Sequence, residues 1–193
     1  MAKYKRLKRY DDPGHAHTLT FCCFRRQPFL SRDRTRRWFC EAVDRACAKH
    51  DFAVWAYVVM PEHVHLLVCP RRREYSTAAF CASVKVSVAR RAVAWVRAHA
   101  PDFLDRMRDA QPNGKVAQRF WQRGGGHDRN LFTAAAVRAQ IDYVHLNPVR
   151  RGLCGRPTDW AWSSARDHAA ADRGDRRADA PLRVDLGPLR EFL

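Results

Sequence analysis

An α+β fold, an antiparallel sheet with helices packed against it, is what this 193-residue sequence predicts. Three observations carry the prediction. Apolar residues make up 46% of the chain, enough to form a real core and to exclude wholesale disorder. Two apolar runs, FAVWAYVVM and HVHLLVC, are separated only by Pro61-Glu62, the pattern of two strands joined by a tight turn. Segments of helical period and segments of strand character alternate along the rest of the chain.

In order, MAKYKRLKRY forms a basic arm, DDPG a turn, and HAHTLTFCCF (15–24) a short strand. From Arg34 to Lys49, Phe39, Ala42, Val43, Ala46 and Cys47 recur at three- and four-residue spacing, which predicts an amphipathic helix. The strand pair spanning 52–69 follows. A second helix, 75–99, turns Phe80, Val84, Val88 and Val96 inward and Lys85, Arg90, Arg91 and Arg97 outward. APDFLDRMRDAQPNGK is linker-like, with Pro112, Asn113 and Gly114 as breakers, and VAQRFWQ (116–122) is the predicted fourth strand. RGGGHDRN is a loop whose three glycines leave it free, so it is assigned no contact. Thr133 is the N-cap of a third helix, AAAVRAQIDYVHLN, stopped by Pro148. Strand, helix, strand, strand, helix, strand, helix is the split βαβ order of a ferredoxin-like sheet. The length suits one domain and a tail: an arm over 1–14, a domain over 15–163 and a polar C-terminal extension over 164–193. There the periodicity is lost, although LRVDLGPLREFL can dock back.

The net charge is +16, from 36 Lys plus Arg against 20 Asp plus Glu. Such an excess selects a polyanionic partner, nucleic acid ahead of an anionic membrane surface. Arg outnumbers Lys thirty to six; a GC-rich genome produces the same bias, so the argument rests on the charge. The seven cysteines form no CxxC pair, which removes the usual structural zinc spacing, and they read as buried thiols in a reducing cytosol. The basic arm leads into no apolar signal core and no run approaches a membrane span, so a cytoplasmic protein is expected. Monomer and homodimer are both open.

The chemistry centres on His63-Val64-His65, at the start of the third strand. Residues two apart on a strand share a face and lie about 6.5–7 Å apart, so the two imidazoles can converge on one ion while Val64, Leu66 and Val68 face the other way. Histidines that merely hydrogen-bond at a strand end are the alternative, and His15-Ala16-His17 is a rival pair of the same spacing. Two histidines make half a site. On the third helix, Tyr143 and Asn147 lie one turn apart on one side, roughly 100° from the stripe Val137, Ile141, Val144. Tyr143 is therefore not needed for packing. A phenol with an unperturbed pKa of about 10 is a weak nucleophile at neutral pH, and a metal bound to phosphate oxygens makes phosphorus more electrophilic and steadies a phenolate. Asn147 can offer the same metal a carbonyl oxygen. An amphipathic tyrosine at a helix edge is the alternative.

VVMPEHVHLLV, FWQRGGGHDRNLF, IDYVHLNPVRRGL and DWAWSSAR together resemble the REP-associated tyrosine transposases, a bacterial branch of the HUH single-strand transposases, with a match in order over about residues 15–168. The resemblance implies a ferredoxin-like domain that binds single-stranded DNA hairpins of repetitive extragenic palindromes. It also implies a histidine pair holding Mg²⁺ or Mn²⁺, and a tyrosine that forms a 5′-phosphotyrosine link while freeing a 3′-hydroxyl. The pair falls on His63 and His65, the nucleophile on Tyr143 and the amide ligand on Asn147. His15-Ala16-His17 does not match the metal motif, although His17 sits where family members often carry a strand-one histidine. Imidazoles suit Zn²⁺, Cu²⁺ or Fe equally well, so the choice of Mg²⁺ or Mn²⁺ comes from the resemblance alone.

DNA contacts are expected from Lys3, Lys5, Arg6, Lys8 and Arg9, interleaved with Tyr4 and Tyr10 as a clamp in which cations meet phosphates and rings meet bases. Arg71 and Arg72 follow the histidine strand, and Arg150 and Arg151 follow Tyr143. Trp121, Trp160 and Trp162 are read as packing, and Glu62 as an orienter of His63. The expected function is that of a metal-dependent single-stranded DNA endonuclease and strand transferase, associated with the nucleoid through its DNA. A non-catalytic nucleic-acid binder and a metal-dependent phosphohydrolase using water are the alternatives; a covalent protein–DNA adduct through Tyr143 separates them.

Overall fold

The computed structural model describes residues 9–175 and 177–193. Its centre is a four-stranded sheet in the order β2-β3-β1-β6, formed by β1 (Ala16–Cys22), β2 (Phe52–Val59), β3 (His63–Pro70) and β6 (His127–Leu131). Every neighbouring pair is antiparallel. Helix α1 (Asp33–His50) joins β1 to β2, and α2 (Thr77–His99) leads from β3 toward β6, the predicted split βαβ topology.

One sheet face takes α1 and α2. Trp38, Phe39, Ala42, Val43 and Ala46 of α1 and Phe80, Val84, Val88 and Val96 of α2 pack with Leu19, Phe21, Val64, Leu66 and Val68. The other face takes helix α4 (Ala134–Arg150), whose Val137, Ile141 and Val144 meet Ala16, Trp55, Val58 and Leu67. Burial on both faces is why β2 and β3 read as continuous apolar runs. The outer edge of β2 is closed by the chain after α4: Val59 N–H donates to Trp162 O at 2.8 Å and Ser164 N–H to Tyr57 O at 3.0 Å.

The fourth strand is not VAQRFWQ. Only Val116–Gln118 of that segment (β5) is extended, and it pairs with β4 (Arg108–Ala110) in a separate hairpin, after the short helix α3 (Leu104–Met107). Phe120 and Trp121 leave the hairpin to plug the core, and there the backbone meets the continuation of β1 in one antiparallel bridge, with Phe24 N–H donating to Phe120 O and Gln122 N–H to Cys22 O, both at 2.8 Å. The strand that completes the sheet is HDRNL, whose edge position and polar contacts hide its β character. The glycine loop before it is held rather than free: Lys85 Nζ donates to Gly124 O at 2.8 Å and Arg9 Nη2 to Gly125 O at 2.7 Å. Helix α4 also runs past Pro148 to Arg150, with Gly152 at φ +65° in the terminating turn. The C-terminal residues dock: α5 (Ala165–Ala171) is followed by a segment whose Leu182 is buried, and α6 (Leu186–Phe192) seats Leu189 on the α4 face.

Gly126 is the one glycine the sheet requires. It has φ +79°, and a Cβ there would stand 2.3 Å from Thr20 O. Gly126→Ala is expected to destabilise by more than about 1 kcal/mol in denaturant titration, and by more than Gly124→Ala, whose Cβ would meet nothing within 4 Å.

Candidate active site

Alternation along β3 puts His63, His65 and Leu67 on the α4 face and Val64, Leu66 and Val68 on the other. The two imidazoles are 7% and 6% exposed, and their Nε2 atoms face each other at 3.1 Å. Each Nδ1 is held separately. Glu62 Oε1 lies 3.2 Å from His63 Nδ1 and also accepts from Arg151 Nη1 at 2.7 Å. Thr20 Oγ1, directly across the β1–β3 pairing, lies 2.8 Å from His65 Nδ1. An ionised carboxylate only accepts, so His63 Nδ1 donates and its Nε2 presents a lone pair; Thr20 can accept from His65 Nδ1 with the same result.

Burial pushes the His65 imidazole down to about 3, with His63 and His127 adding to the effect. Burial also lowers His63, against the opposing pull of Glu62. Burial works against ionisation of Glu62, but His63 and Arg151 outweigh it and hold its carboxyl below the usual range. Both imidazoles are thus neutral at pH 7, the form that ligates metal.

With metal–nitrogen bonds of about 2.0–2.1 Å and ligand angles of about 90–109°, two nitrogens on one ion lie about 2.8–3.4 Å apart. The 3.1 Å separation of the Nε2 atoms fits that span. Among the described residues no group of three or more His, Cys, Asp or Glu side chains gathers around a common point. Further ligands would therefore come from an amide, water or substrate. Asn147 is 8% exposed on α4, and among the described residues none hydrogen-bonds to its carboxamide. Tyr143, one turn earlier, is 43% exposed and stands edge-on to His65, ring centroids 5.4 Å apart. The Arg150 guanidinium lies over the Tyr143 ring at 5.4 Å.

The structure thus gathers His63, His65, Tyr143, Arg150 and Arg151 at one end of the sheet. Arg71 and Arg72 lie at the opposite end of β3, where Arg71 pairs with Asp185 at 2.6 Å and Arg72 with Asp51 at 2.9 Å. Lys3, Lys5, Arg6 and Lys8 lie outside the described residues. Arg9 is committed to Asp128, 2.8 Å away. The rival pair is divided: His17 projects to the α1–α2 face, fully buried between Asp128 (3.0 Å) and Tyr75 (2.9 Å), while His15 touches Asn130 and Phe132. Sequence reasoning missed Thr20, whose only signal was its place opposite the histidines once strands were paired. It also missed His145, buried and bonded to Ser164 Oγ at 2.8 Å, which joins α4 to the segment closing β2.

The sheet thus presents two paired, inward-aimed imidazoles with the ring of a tyrosine on α4 edge-on to one of them. Residues 14–124, more than half of the chain, match the family described as Transposase IS200 like. The chain belongs to that family. The match takes in His63 and His65 and ends before Tyr143. The chain is similar to a REP-associated tyrosine transposase of Haemophilus influenzae, 25% identical over 140 residues, covering 69% of this chain and 74% of that protein. Its fold matches that of a REP-associated tyrosine transposase solved bound to a REP hairpin, with a TM-score of 0.65 and 19% identity over 96% of this chain and 93% of the other.

Burial, with a smaller contribution from His168, also pushes His145 down to about 3. An imidazole whose folded pKa lies below its unfolded value of about 6.5 supports stability fully above that value and loses it as pH falls toward the folded pKa. The unfolding free energy of the metal-free protein, measured by denaturant titration, is expected to fall between pH 7 and pH 5, by up to about 2 kcal/mol each for His65 and His145. His145→Gln should make that slope shallower.

Proposed function

We propose that this chain is a metal-dependent single-stranded DNA endonuclease and strand transferase that acts on hairpin DNA of the REP type through Tyr143. The observation that carries the reading is the pair of Nε2 atoms aimed at one point, with the Tyr143 ring edge-on to His65. The hairpin as substrate is supported by the +16 net charge and by the relative solved on such DNA. No helix among the described residues is long and apolar enough to cross a membrane.

His63, His65 and Asn147 would hold the divalent cation, Mg²⁺ or Mn²⁺, which when bound withdraws charge from the phosphodiester oxygens and makes phosphorus electrophilic. Tyr143 attacks the phosphorus through its phenolic oxygen. The P–O3′ bond breaks, the phosphate stays on Tyr143 as a 5′-phosphotyrosine, and the departing 3′ oxygen takes up a proton. Attack by another 3′-hydroxyl reverses the chemistry and rejoins DNA. Glu62 and Thr20 orient the two imidazoles, and Arg150, stacked on the Tyr143 ring, would meet the incoming phosphate.

Tyr143→Phe is expected to abolish both nicking and the denaturant-resistant protein–DNA band formed with Mn²⁺, while hairpin affinity stays within a few-fold. Nicking at a near-normal rate by this variant would make water the nucleophile and overturn the assignment. His63→Ala or His65→Ala should remove cleavage and metal binding without removing hairpin binding, and Asn147→Ala should have a milder effect because water can replace a neutral oxygen. Binding should weaken steeply with salt, at about −0.7 in the log–log slope for each phosphate neutralised on a single strand.

A further inference from the structure

The turn that leaves β1 is strained. Arg25 and Arg26 both have positive φ, 52° and 53°, and Gln27 N–H closes the turn onto Phe24 O at 3.0 Å. Two successive left-handed residues under an i to i+3 hydrogen bond are the pattern of a type I′ turn. Glycine, asparagine and aspartate predominate there, because a larger side chain crowds its own backbone. Two arginines in that turn cost stability, and the surroundings must hold them. Arg25 N–H donates to Gln122 Oε1 and Arg26 N–H to Cys23 O, both at 3.0 Å. Cys23 N–H donates to Glu62 O at 2.8 Å and Leu30 N–H to Pro61 O at 2.9 Å, which fastens the turn to the residues directly before His63.

Arg25 has a packing reason for its place, since its guanidinium lies over the Phe24 ring, 4.9 Å from the centroid. Arg26 has none. It is exposed, and among the described residues its side chain makes no ion pair or hydrogen bond, whereas Arg151 is bound to Glu62 at 2.7 Å. Cys22, four residues before Arg26, is the strand partner of His63. Burial is the main reason that His63 stays neutral, and the charges of Arg151 and Arg26 add to it, so Arg26 stands within electrostatic reach of that imidazole. A strained backbone and an uncommitted cation thus coincide beside the histidine pair. Strain of this kind collects at active sites, where the position of one side chain matters more than the ease of its backbone.

We propose that Arg26 is a catalytic residue, whose guanidinium meets a nonbridging oxygen of the scissile phosphate on the β1 side of the histidine pair. The inference rests on the function proposed above. As Tyr143 Oη bonds to phosphorus and the P–O3′ bond breaks, the nonbridging oxygens keep their negative charge, and a planar fork of fixed donors stabilises it. Arg26 neither gains nor loses a proton. Its contribution is expected chiefly in the cleavage rate, because the contact is made to the reacting phosphate and not to the hairpin stem.

The test compares wild type, Arg26→Gly and Arg25→Gly as full chains, with Mn²⁺ and a hairpin oligonucleotide. Glycine adopts positive φ freely, so each change should leave the denaturant midpoint unchanged or raise it. Arg26→Gly should slow single-turnover nicking by about 100- to 1,000-fold, with hairpin affinity within about fivefold. Arg25→Gly should stay within about fivefold of wild type in both. A methylphosphonate at the scissile position replaces one nonbridging oxygen with a neutral methyl group. The diastereomer lacking the oxygen that Arg26 meets should slow wild type by about 100-fold or more, and slow Arg26→Gly by less than about fivefold further. A lowered midpoint, an affinity loss as large as the rate loss, equal rate losses in the two glycine variants, or equal methylphosphonate effects in wild type and Arg26→Gly would each overturn the role of Arg26. Near-normal nicking by Arg26→Gly would overturn that role alone, whereas failure of wild type to nick hairpins, or full activity of Tyr143→Phe, would overturn the proposed function with it.

Discussion

The register of β3 between β1 and β2 is the constraint on which the site and both cores depend. Cα pairing sets Thr20 opposite His65 on one side and Val58 opposite His65 on the other. With a side-chain period of two, a slip of one residue would turn His63 and His65 into the α1–α2 core and present Val64 and Leu66 to α4. The two imidazoles would lose Glu62 and Thr20, and the opposite face would lose Leu67. Gly126 belongs to the same constraint, because the approach of its backbone to Thr20 O allows β6 to close beside β1.

Around the histidine pair, charge is handled differently at the two Nδ1 atoms. His65 is backed by a hydroxyl and His63 by a carboxylate that is itself shared with Arg151. The chain after α4 therefore reaches back to the turn that starts β3, and tethers helix and strand through Glu62. His145 and Ser164 make the second tether, from α4 to the segment covering the edge of β2. Helix α4 is located relative to the sheet by apolar packing and by these two polar links, which hold Tyr143 beside His65.

The opposite face uses histidine differently. His17 is enclosed between Asp128 and Tyr75, and Asp128 also takes Arg9. This buried polar chain joins the end of the basic arm to β6 and to Tyr75 ahead of the α2 N-cap, with both His17 ring nitrogens bonded. The strong positive charge is thus divided between roles. Arg9, Arg71, Arg72 and Arg151 form ion pairs, whereas among the described residues Arg32, Arg34 and Arg106 have no carboxylate partner.

The apolar runs flanking Pro61-Glu62, the helical stripes of α1 and α2 and the N-cap at Thr133 were legible in the sequence because burial leaves a period in the residues themselves. The spacing of His63 and His65 placed them on one face for the same reason, and helical geometry put Tyr143 and Asn147 one turn apart. The fourth strand was not legible: HDRNL is polar because it sits at an edge and pairs through Asp128 and Asn130, whereas VAQRFWQ is apolar because Phe120 and Trp121 plug a core, meeting the end of β1 by a single bridge from Trp121 to Cys23. Which of the two His-x-His pairs converges was likewise undecided by spacing. Only the pairing of strands sent His17 to one face and His63 with His65 to the other, where Thr20, a residue 45 positions away in the chain from His65, meets its Nδ1. Local pattern determines which residues can share a face; which faces meet is set by strand order and register, and these depend on contacts between residues far apart in sequence.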